Sequence, residues 1–280
     1  MSLPILRAGA LALGILIIGG CGGGSSSAPE ATTPDAAVAT ISKQVQNDDL
    51  AGLVRTILNP AAYAKAQQEW DKKRKEPVKD EEKVQFAMLM TQLTAPGAEN
   101  TLFLLAKPKL AETQAMLPMA GMFLGMAVAG LDKDDKLSAE EKQQAQKVVA
   151  ALSTWITGLK LDDEAKLKQA IGLACTTARA LKLQDLDQVR ALEFDALLTK
   201  VGPVVGGVSS ILAIYGLDLK ASAASLKAGT PVVTGTTAKV PVSFTLLGQT
   251  FSSTSIFEQH GGKWYPQEKA TKAIGAPSAP

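Results

Sequence analysis

Apolar residues recur every three to four positions over residues 37–228 and every second position over residues 229–268. The first spacing is typical of helices with one buried face, and the second is typical of half-buried strands. The pattern therefore predicts an α+β fold, in which a mostly helical body is followed by a C-terminal antiparallel meander of three to four strands. Because a small meander is unstable alone, we expect it to pack on the helices.

Proline and glycine divide the helical region, because they interrupt the backbone hydrogen bonds of a helix. Pro108 is expected to end a short helix over residues 101–107. Gly202-Pro203 is expected to separate a helix over residues 185–199 from another over residues 208–215. The helical region is thus predicted as a series of short segments.

The stretch from Ala115 to Leu131 carries no charge. As a helix it would be about 25 Å long, which is short of the roughly 30 Å core of a bilayer. Its Gly121-x-x-x-Gly125 spacing allows two helices to pack closely. The short length and Pro118 favour a fully buried helix of a soluble bundle. The alternatives are a second membrane contact or one wall of a lipid-binding cavity.

Four methionines lie in the same stretch, at positions 116, 119, 122 and 126. Thioethers are soft ligands that suit Cu(I). Methionine is also a flexible filler of apolar cores, and no histidine or cysteine joins this group. The sequence therefore favours a packing role, and we expect no cofactor.

Charge and aromatic content exclude two classes of partner. The 29 basic and 27 acidic residues leave a net charge of +2, which gives no electrostatic drive toward nucleic acid. Aromatic residues make up only 5% of the chain, too few to favour a stacked carbohydrate platform. No nucleic-acid partner is expected.

The sequence offers few residues or motifs that could carry catalysis. His260 is the single histidine, and it lies in a His-Gly-Gly turn signal. No G-x-S-x-G elbow, P-loop or dinucleotide fingerprint is present. A helix is expected over residues 163–181, capped by Asp162, and Cys175 on its apolar side is expected to be a buried small hydrophobe. A non-catalytic domain is favoured, although a pair of carboxylates remains open as a catalytic alternative.

An acidic run offers weak candidates for a calcium site. Aligned to an EF-hand loop, four residues fall on ligand positions: Asp132, Asp134, Ser138 and Glu141. Gly130 replaces the first acidic ligand and Asp135 replaces the glycine of the turn, so the pattern fails at two positions. A capping box, in which Ser138 starts a helix and Glu141 reaches back to it, is the simpler interpretation.

The N-terminus has the pattern of an export signal, with Arg7 before an apolar and glycine run over residues 8–18. It ends in Ile18-Gly19-Gly20-Cys21, which resembles the lipobox of bacterial lipoproteins. The resemblance implies cleavage before Cys21 and lipid attached to its thiol, and two or three acyl chains would anchor the protein stably. Because residue 22 is glycine rather than aspartate, the resemblance also implies the outer membrane, with the domain facing the periplasm.

The C-terminal meander closes on the sequence GGKWYP, over residues 261–266. A meander that ends this way is similar to exported domains of the nuclear-transport-factor-2-like class, over residues 228–266 at most. That resemblance implies a pocket between helix and sheet for a small molecule or a partner, with no fixed activity.

The expected organisation has five parts along the chain. They are a signal peptide over 1–20, a lipidated Cys21 with a flexible tether to residue 36, a helical region over 37–228, a β region over 229–268, and a loose tail over 269–280. The expected function is that of a membrane-anchored binding or scaffolding domain that meets other envelope proteins. The alternative is a carrier of an apolar ligand or lipid that uses the helix around residues 115–131.

Overall fold

The computed structural model describes residues 31–131 and 139–267, apart from the side chains of residues 125–131 and 141. Within these residues, ten helices precede a five-stranded antiparallel sheet, so the predicted α+β class is confirmed. The helices are α1 Pro34–Asn47, α2 Leu50–Ile57, α3 Pro60–Lys73, α4 Asp80–Thr94, α5 Ala98–Leu131, α6 Ala139–Thr157, α7 Glu164–Leu181, α8 Leu186–Ala191, α9 Phe194–Ile214 and α10 Leu219–Ala224. The strands are β1 Lys227–Ala228, β2 Val232–Thr234, β3 Thr237–Leu246, β4 Gln249–His260 and β5 Lys263–Pro266.

Short polar side chains begin several of the helices by accepting backbone N–H groups that have no partner within the helix. Asp49 Oδ1 accepts the Gly52 N–H at 2.8 Å and begins α2. At α7, Asp163 Oδ1 accepts the backbone N–H groups of Ala165 and Lys166 at 3.0 and 3.1 Å. The prediction that Asp162 caps this helix is therefore wrong by one residue.

Two helices continue through the predicted breaks, so the predicted short segments over 101–107, 185–199 and 208–215 are wrong. Helix α5 contains Pro108 and Pro118, and α9 contains Pro203. All three prolines lie on the exposed side of their helix. Because proline has no N–H, the carbonyl four residues earlier in the helix loses its hydrogen-bond partner. That carbonyl lies on the same side of the helix as the proline, so an exposed one can bond to water.

Two tight turns build the sheet. Leu247-Gly248 joins β3 to β4 and Gly261-Gly262 joins β4 to β5, and all four residues have positive φ, at 51°, 75°, 58° and 82°. Such two-residue turns match the twist of a hairpin. Strands β1 and β2 pair with successive parts of the other edge of β3, which is why the sheet has five strands where three to four were predicted.

Helix α1 covers one face of the sheet. Ala37 and Val38 of α1 form one buried cluster with the alternate residues of β3 and with residues of β4 and β5, namely Ala238, Val240, Val242, Phe257 and Trp264. The backbone N–H of Trp264 also donates to the backbone carbonyl of Ala31 at 3.3 Å. The described part of the chain therefore starts beside β5, against the core of the sheet.

Helix α7 lies inside the helical part and contacts α4, α5 and α9. Cys175 of α7 is completely buried. On α9, a Cβ atom added to Gly207 would lie 2.5 Å from Thr177 Oγ1 of α7, so this glycine allows α7 and α9 to approach closely. The helical part thus has its own packed interior beside the core of the sheet.

Candidate functional site

One face of α5 packs on its neighbours. Leu117 and Gly121 are buried, and Ser153 Oγ of α6 donates to the Gly121 carbonyl at 3.2 Å. A Cβ atom at position 121 would lie 2.5 Å from Thr157 Cγ2. Close helix packing at the Gly121 end of the predicted glycine spacing is therefore present, between α5 and α6.

The opposite face of α5 is exposed and mostly apolar, and the exposed Glu112 is a charged residue on it. Six large side chains there each expose more than half of their surface: Leu104, Leu105, Met116, Met119, Met122 and Phe123. At 3.6 residues per turn, they fall within an arc of about 120°. The prediction of a fully buried helix over 115–131 is wrong, because within the described part of the chain no layer covers the side chains on this face.

Helix α4 carries a second group of exposed apolar side chains. Val84, Met88 and Leu89 also expose more than half of their side chains. Arg179 of α7 holds the connection between α4 and α5, since it donates to the Ala95 carbonyl at 3.2 Å and to the Glu99 carboxylate at 2.5 and 3.1 Å. We call the nine exposed residues of the two helices the apolar α4–α5 surface.

The chemistry of this surface is that of adaptable apolar contact. Thioether side chains have three rotatable bonds and a polarisable sulfur, so they can fit apolar partners of different shape. Over the residues that the structure describes, no group of three or more His, Cys, Asp or Glu side chains could hold a metal ion. The arrangement is therefore suited to binding an apolar partner by burial.

Helix α9 is the one helix in residues 31–131 and 139–267 that is long and apolar enough to cross a membrane. Its most apolar stretch of 18 residues has a mean hydropathy of 1.7, and only 17% of that stretch is buried. It nevertheless has specific contacts with its neighbours, since Gly207 meets Thr177 and Ser209 is almost completely buried. Core helices of soluble proteins satisfy the same length and hydropathy criteria, so this helix is weak support for a membrane span.

The predicted lipid and calcium residues cannot be placed on the fold. Cys21, Asp132, Asp134 and Ser138 lie outside the described residues, and Glu141 is described only by its backbone, in the first turn of α6. Both assignments remain predictions.

Cys175 and His260 occupy the settings that the sequence predicts for them. Burial raises the pKa of the Cys175 thiol, and the thiolate form needed for nucleophilic chemistry is disfavoured. His260 is the last residue of β4, where its Nε2 lies 3.7 Å from the Glu258 carboxylate and its ring meets Tyr265 edge to face. Neither residue is placed in a nucleophile–base pair by these contacts.

A polar cluster that the sequence did not predict joins three helices. Tyr63 of α3 donates its hydroxyl to Asp195 of α9, and Arg55 of α2 lies 2.8 Å from the same carboxylate. Burial first, and then the hydrogen bond to Asp195, raise the pKa of Tyr63. Since Tyr63 and Asp195 are 132 residues apart, no local spacing could have revealed the contact. The cluster positions the N-terminus of α9.

Comparison with known proteins gave no match to a family model, a curated protein or a solved structure.

Proposed function

We propose that this protein is a lipid-anchored component of the bacterial cell envelope whose helical body binds an apolar partner through the apolar α4–α5 surface. The observation that carries the proposal is the exposed row of leucine, methionine and phenylalanine side chains on α5. Monomeric soluble proteins rarely expose connected apolar patches larger than a few hundred Å², and larger patches mark interaction sites.

The partner that fits this surface best is an envelope protein. Two basic residues of α4 and α5 are already paired within the body, as Lys83 lies 2.8 Å from Asp187 and Lys107 lies 2.5 Å from Glu164. They are thus less able to attract anionic lipid headgroups. A protein surface that offers apolar side chains needs no such basic rim.

The anchor is supported by the sequence. The apolar run over residues 8–18 leads to Ile18-Gly19-Gly20-Cys21, and acyl chains on Cys21 would keep the body close to a bilayer. Cys21→Ser is expected to release the protein into the soluble fraction and to abolish metabolic labelling with a fatty acid. A Cys175→Ser variant, whose altered thiol is buried, is the matched control and is expected to stay membrane-bound and labelled.

The binding surface can be tested by photo-crosslinking in living cells. A benzophenone amino acid is placed at Met119 or Met122 and, as a control on the same helix, at Thr113, which is exposed beside the surface. We expect a protein adduct of defined mass from the two methionine positions and none from position 113. Adducts of lipid mass alone would instead favour the carrier of an apolar ligand. Equal yields at all three positions, or no adduct, would contradict a role of this surface in binding.

A further inference from the structure

The exposed face of α5 contains three methionines, Met116, Met119 and Met122, which we call the methionine row. They are spaced three residues apart, so neighbouring members lie next to each other on one side of the helix. Methionine is among the residue types that are most often fully buried. On α4, Met90 follows this rule with an exposure of 5%, whereas Met88 and all three members of the row expose more than half of their surface. Filling of the core therefore does not explain the row.

The methionine row supplies most of the apolar surface in its part of α5. Residues 113–123 carry no charge, and the large side chains exposed among them are the three methionines and Phe123. Oxidation of a thioether to a sulfoxide converts a flexible apolar side chain into a polar one and disrupts methionine-rich interfaces. Oxidation of the row would thus make three of these four large exposed side chains polar.

Within the described part of the chain, the cysteine thiol does not compete with the row for an oxidant. Cys175 is completely buried, and burial raises the pKa of its thiol, so the reactive thiolate is disfavoured. A thioether sulfur reacts without first losing a proton, so its exposure governs how readily a small oxidant reaches it. The sulfur atoms of the row are therefore the more accessible targets.

We infer that the methionine row is a site of reversible sulfoxidation, at which a peroxide switches this part of the apolar α4–α5 surface from apolar to polar. With hydrogen peroxide, a sulfur lone pair attacks one oxygen and the O–O bond breaks, which yields the sulfoxide and water. A thiol-dependent sulfoxide reductase reverses the step, since two thiols become a disulfide and the oxygen leaves as water. The effect on a partner rests on the proposed function: sulfoxides weaken its binding, and the bound partner shields the same sulfur atoms.

The reactivity of each methionine is measured in the purified full chain treated with hydrogen peroxide. Fragment-ion mass spectrometry assigns each added oxygen to one residue over a time course. We expect the row to be oxidised about tenfold or more faster than Met90, which is buried. Met88 lies on the same helix as Met90 but is exposed, so it is the matched control for exposure and should react about as fast as the row. A row that reacts no faster than Met90 would overturn the inference, whether or not the surface binds a partner.

Replacement by leucine tests whether the row carries the switch. Leucine has a similar volume and is not oxidised, so a triple variant with Met116→Leu, Met119→Leu and Met122→Leu keeps this surface apolar. Met88→Leu, which leaves the row intact, is the matched control. Free benzophenone serves as an apolar photolabel, and peptide mass spectrometry reads its incorporation into α5.

We expect hydrogen peroxide to lower this labelling about threefold or more in the parent protein and in Met88→Leu, and to leave it unchanged in the triple variant. Reduction with the two stereospecific methionine sulfoxide reductases and a thiol is expected to restore the labelling. Equal losses in all three proteins, no loss in the parent, or a loss that persists after reduction would overturn the inference.

Crosslinking in cells separates this inference from the proposed function. A benzophenone amino acid at Phe123 is combined with Met88→Leu or with the triple variant. If no protein adduct forms without peroxide, the proposed function is contradicted, while the mass spectrometry and photolabelling still decide the inference. With peroxide, we expect the adduct yield to fall about threefold or more in the Met88→Leu chain and to stay unchanged in the triple variant. An equal fall in both would overturn the switch.

Discussion

At the scale of single residues, Gly121 controls how closely α5 approaches α6. The position is buried, and a methyl group there would lie 2.5 Å from the Thr157 methyl. Gly172 of α7 provides a contrast, because a Cβ atom at that position meets nothing within 4 Å. The same change of glycine to alanine should therefore have opposite effects at the two sites.

We expect Gly121→Ala to lower the free energy of unfolding by about 1–2 kcal/mol, since overpacking outweighs the gain in helix propensity. Gly172→Ala is expected to raise it by about 0.5–1 kcal/mol, because only the propensity gain remains. Chemical denaturation followed by circular dichroism measures both. A gain in stability at position 121 would show that α5 and α6 are not in close contact.

The Tyr63 hydroxyl gives a second prediction at this scale. Its pKa in the folded protein is raised above the ordinary value of about 10. As the pH rises above 10, the Tyr63 phenol loses its proton in the unfolded chain before it does so in the folded protein. The stability that the neutral hydroxyl contributes is therefore fully present below pH 10 and is lost as the pH rises through the folded pKa. We expect Tyr63→Phe to show a shallower alkaline loss of stability than the parent protein, in denaturation series from pH 8 to about 11. An equal slope would mean that Tyr63 titrates normally.

At the scale of elements, the sequence predicted the order of helices and strands but not the ends of the longest helices. The period of apolar residues correctly located the change from helix to strand, because that period follows directly from backbone geometry. The breaks at Pro108 and at Gly202-Pro203 were wrong, because sequence alone does not reveal that these prolines face solvent. Because the freed carbonyls can be hydrated, packing keeps both helices continuous: α5 packs on α6 and α7, and α9 packs on α7.

The turn between β3 and β4 carries a prediction for one element. Leu247 has a φ of 51°, a left-handed conformation that costs a non-glycine residue about 1 kcal/mol. Asparagine tolerates that conformation, and Asn-Gly is the preferred pair for this turn. Leu247→Asn is therefore expected to raise the thermal unfolding midpoint, and Gly248→Ala, at a φ of 75°, to lower it. A lower midpoint for Leu247→Asn would mean that the leucine contacts outweigh the strain.

At the scale of the whole molecule, exposure is the property that the sequence could not provide. Leu117 and Met119 lie two residues apart in an uncharged stretch, yet the first is buried and the second is half exposed. Hydrophobicity indicates that a side chain can be buried, but only the positions of α6 and α7 decide which side of α5 is covered. The apolar α4–α5 surface could therefore be identified only from the folded structure. The same holds for the Arg55–Tyr63–Asp195 cluster.

The packing of α1 on the sheet predicts that the two parts unfold together. Val240 of β3 is completely buried in the cluster that α1 shares with the sheet. Val240→Ala is expected to cost about 2 kcal/mol. With Trp70 and Trp155 of the helices replaced by phenylalanine, it is expected to move the helical circular dichroism and the Trp264 fluorescence transitions by the same amount. Separate midpoints for the two signals would show that the sheet unfolds as an independent unit.

If the proposed lipid anchor holds the protein by its N-terminus, the contact of Ala31 with Trp264 has a mechanical consequence. Within the described residues, tension transmitted from that end would reach Ala31 before the first helix, at the backbone of a tryptophan fixed in the buried cluster beneath α1. Helix α1 is the first described helix along the chain, so it would be loaded first and would pass the load to β3, α2 and α10 through its packing contacts. The packing of α1 on the sheet, on α2 and on α10 would therefore set the force at which the folded body begins to unfold.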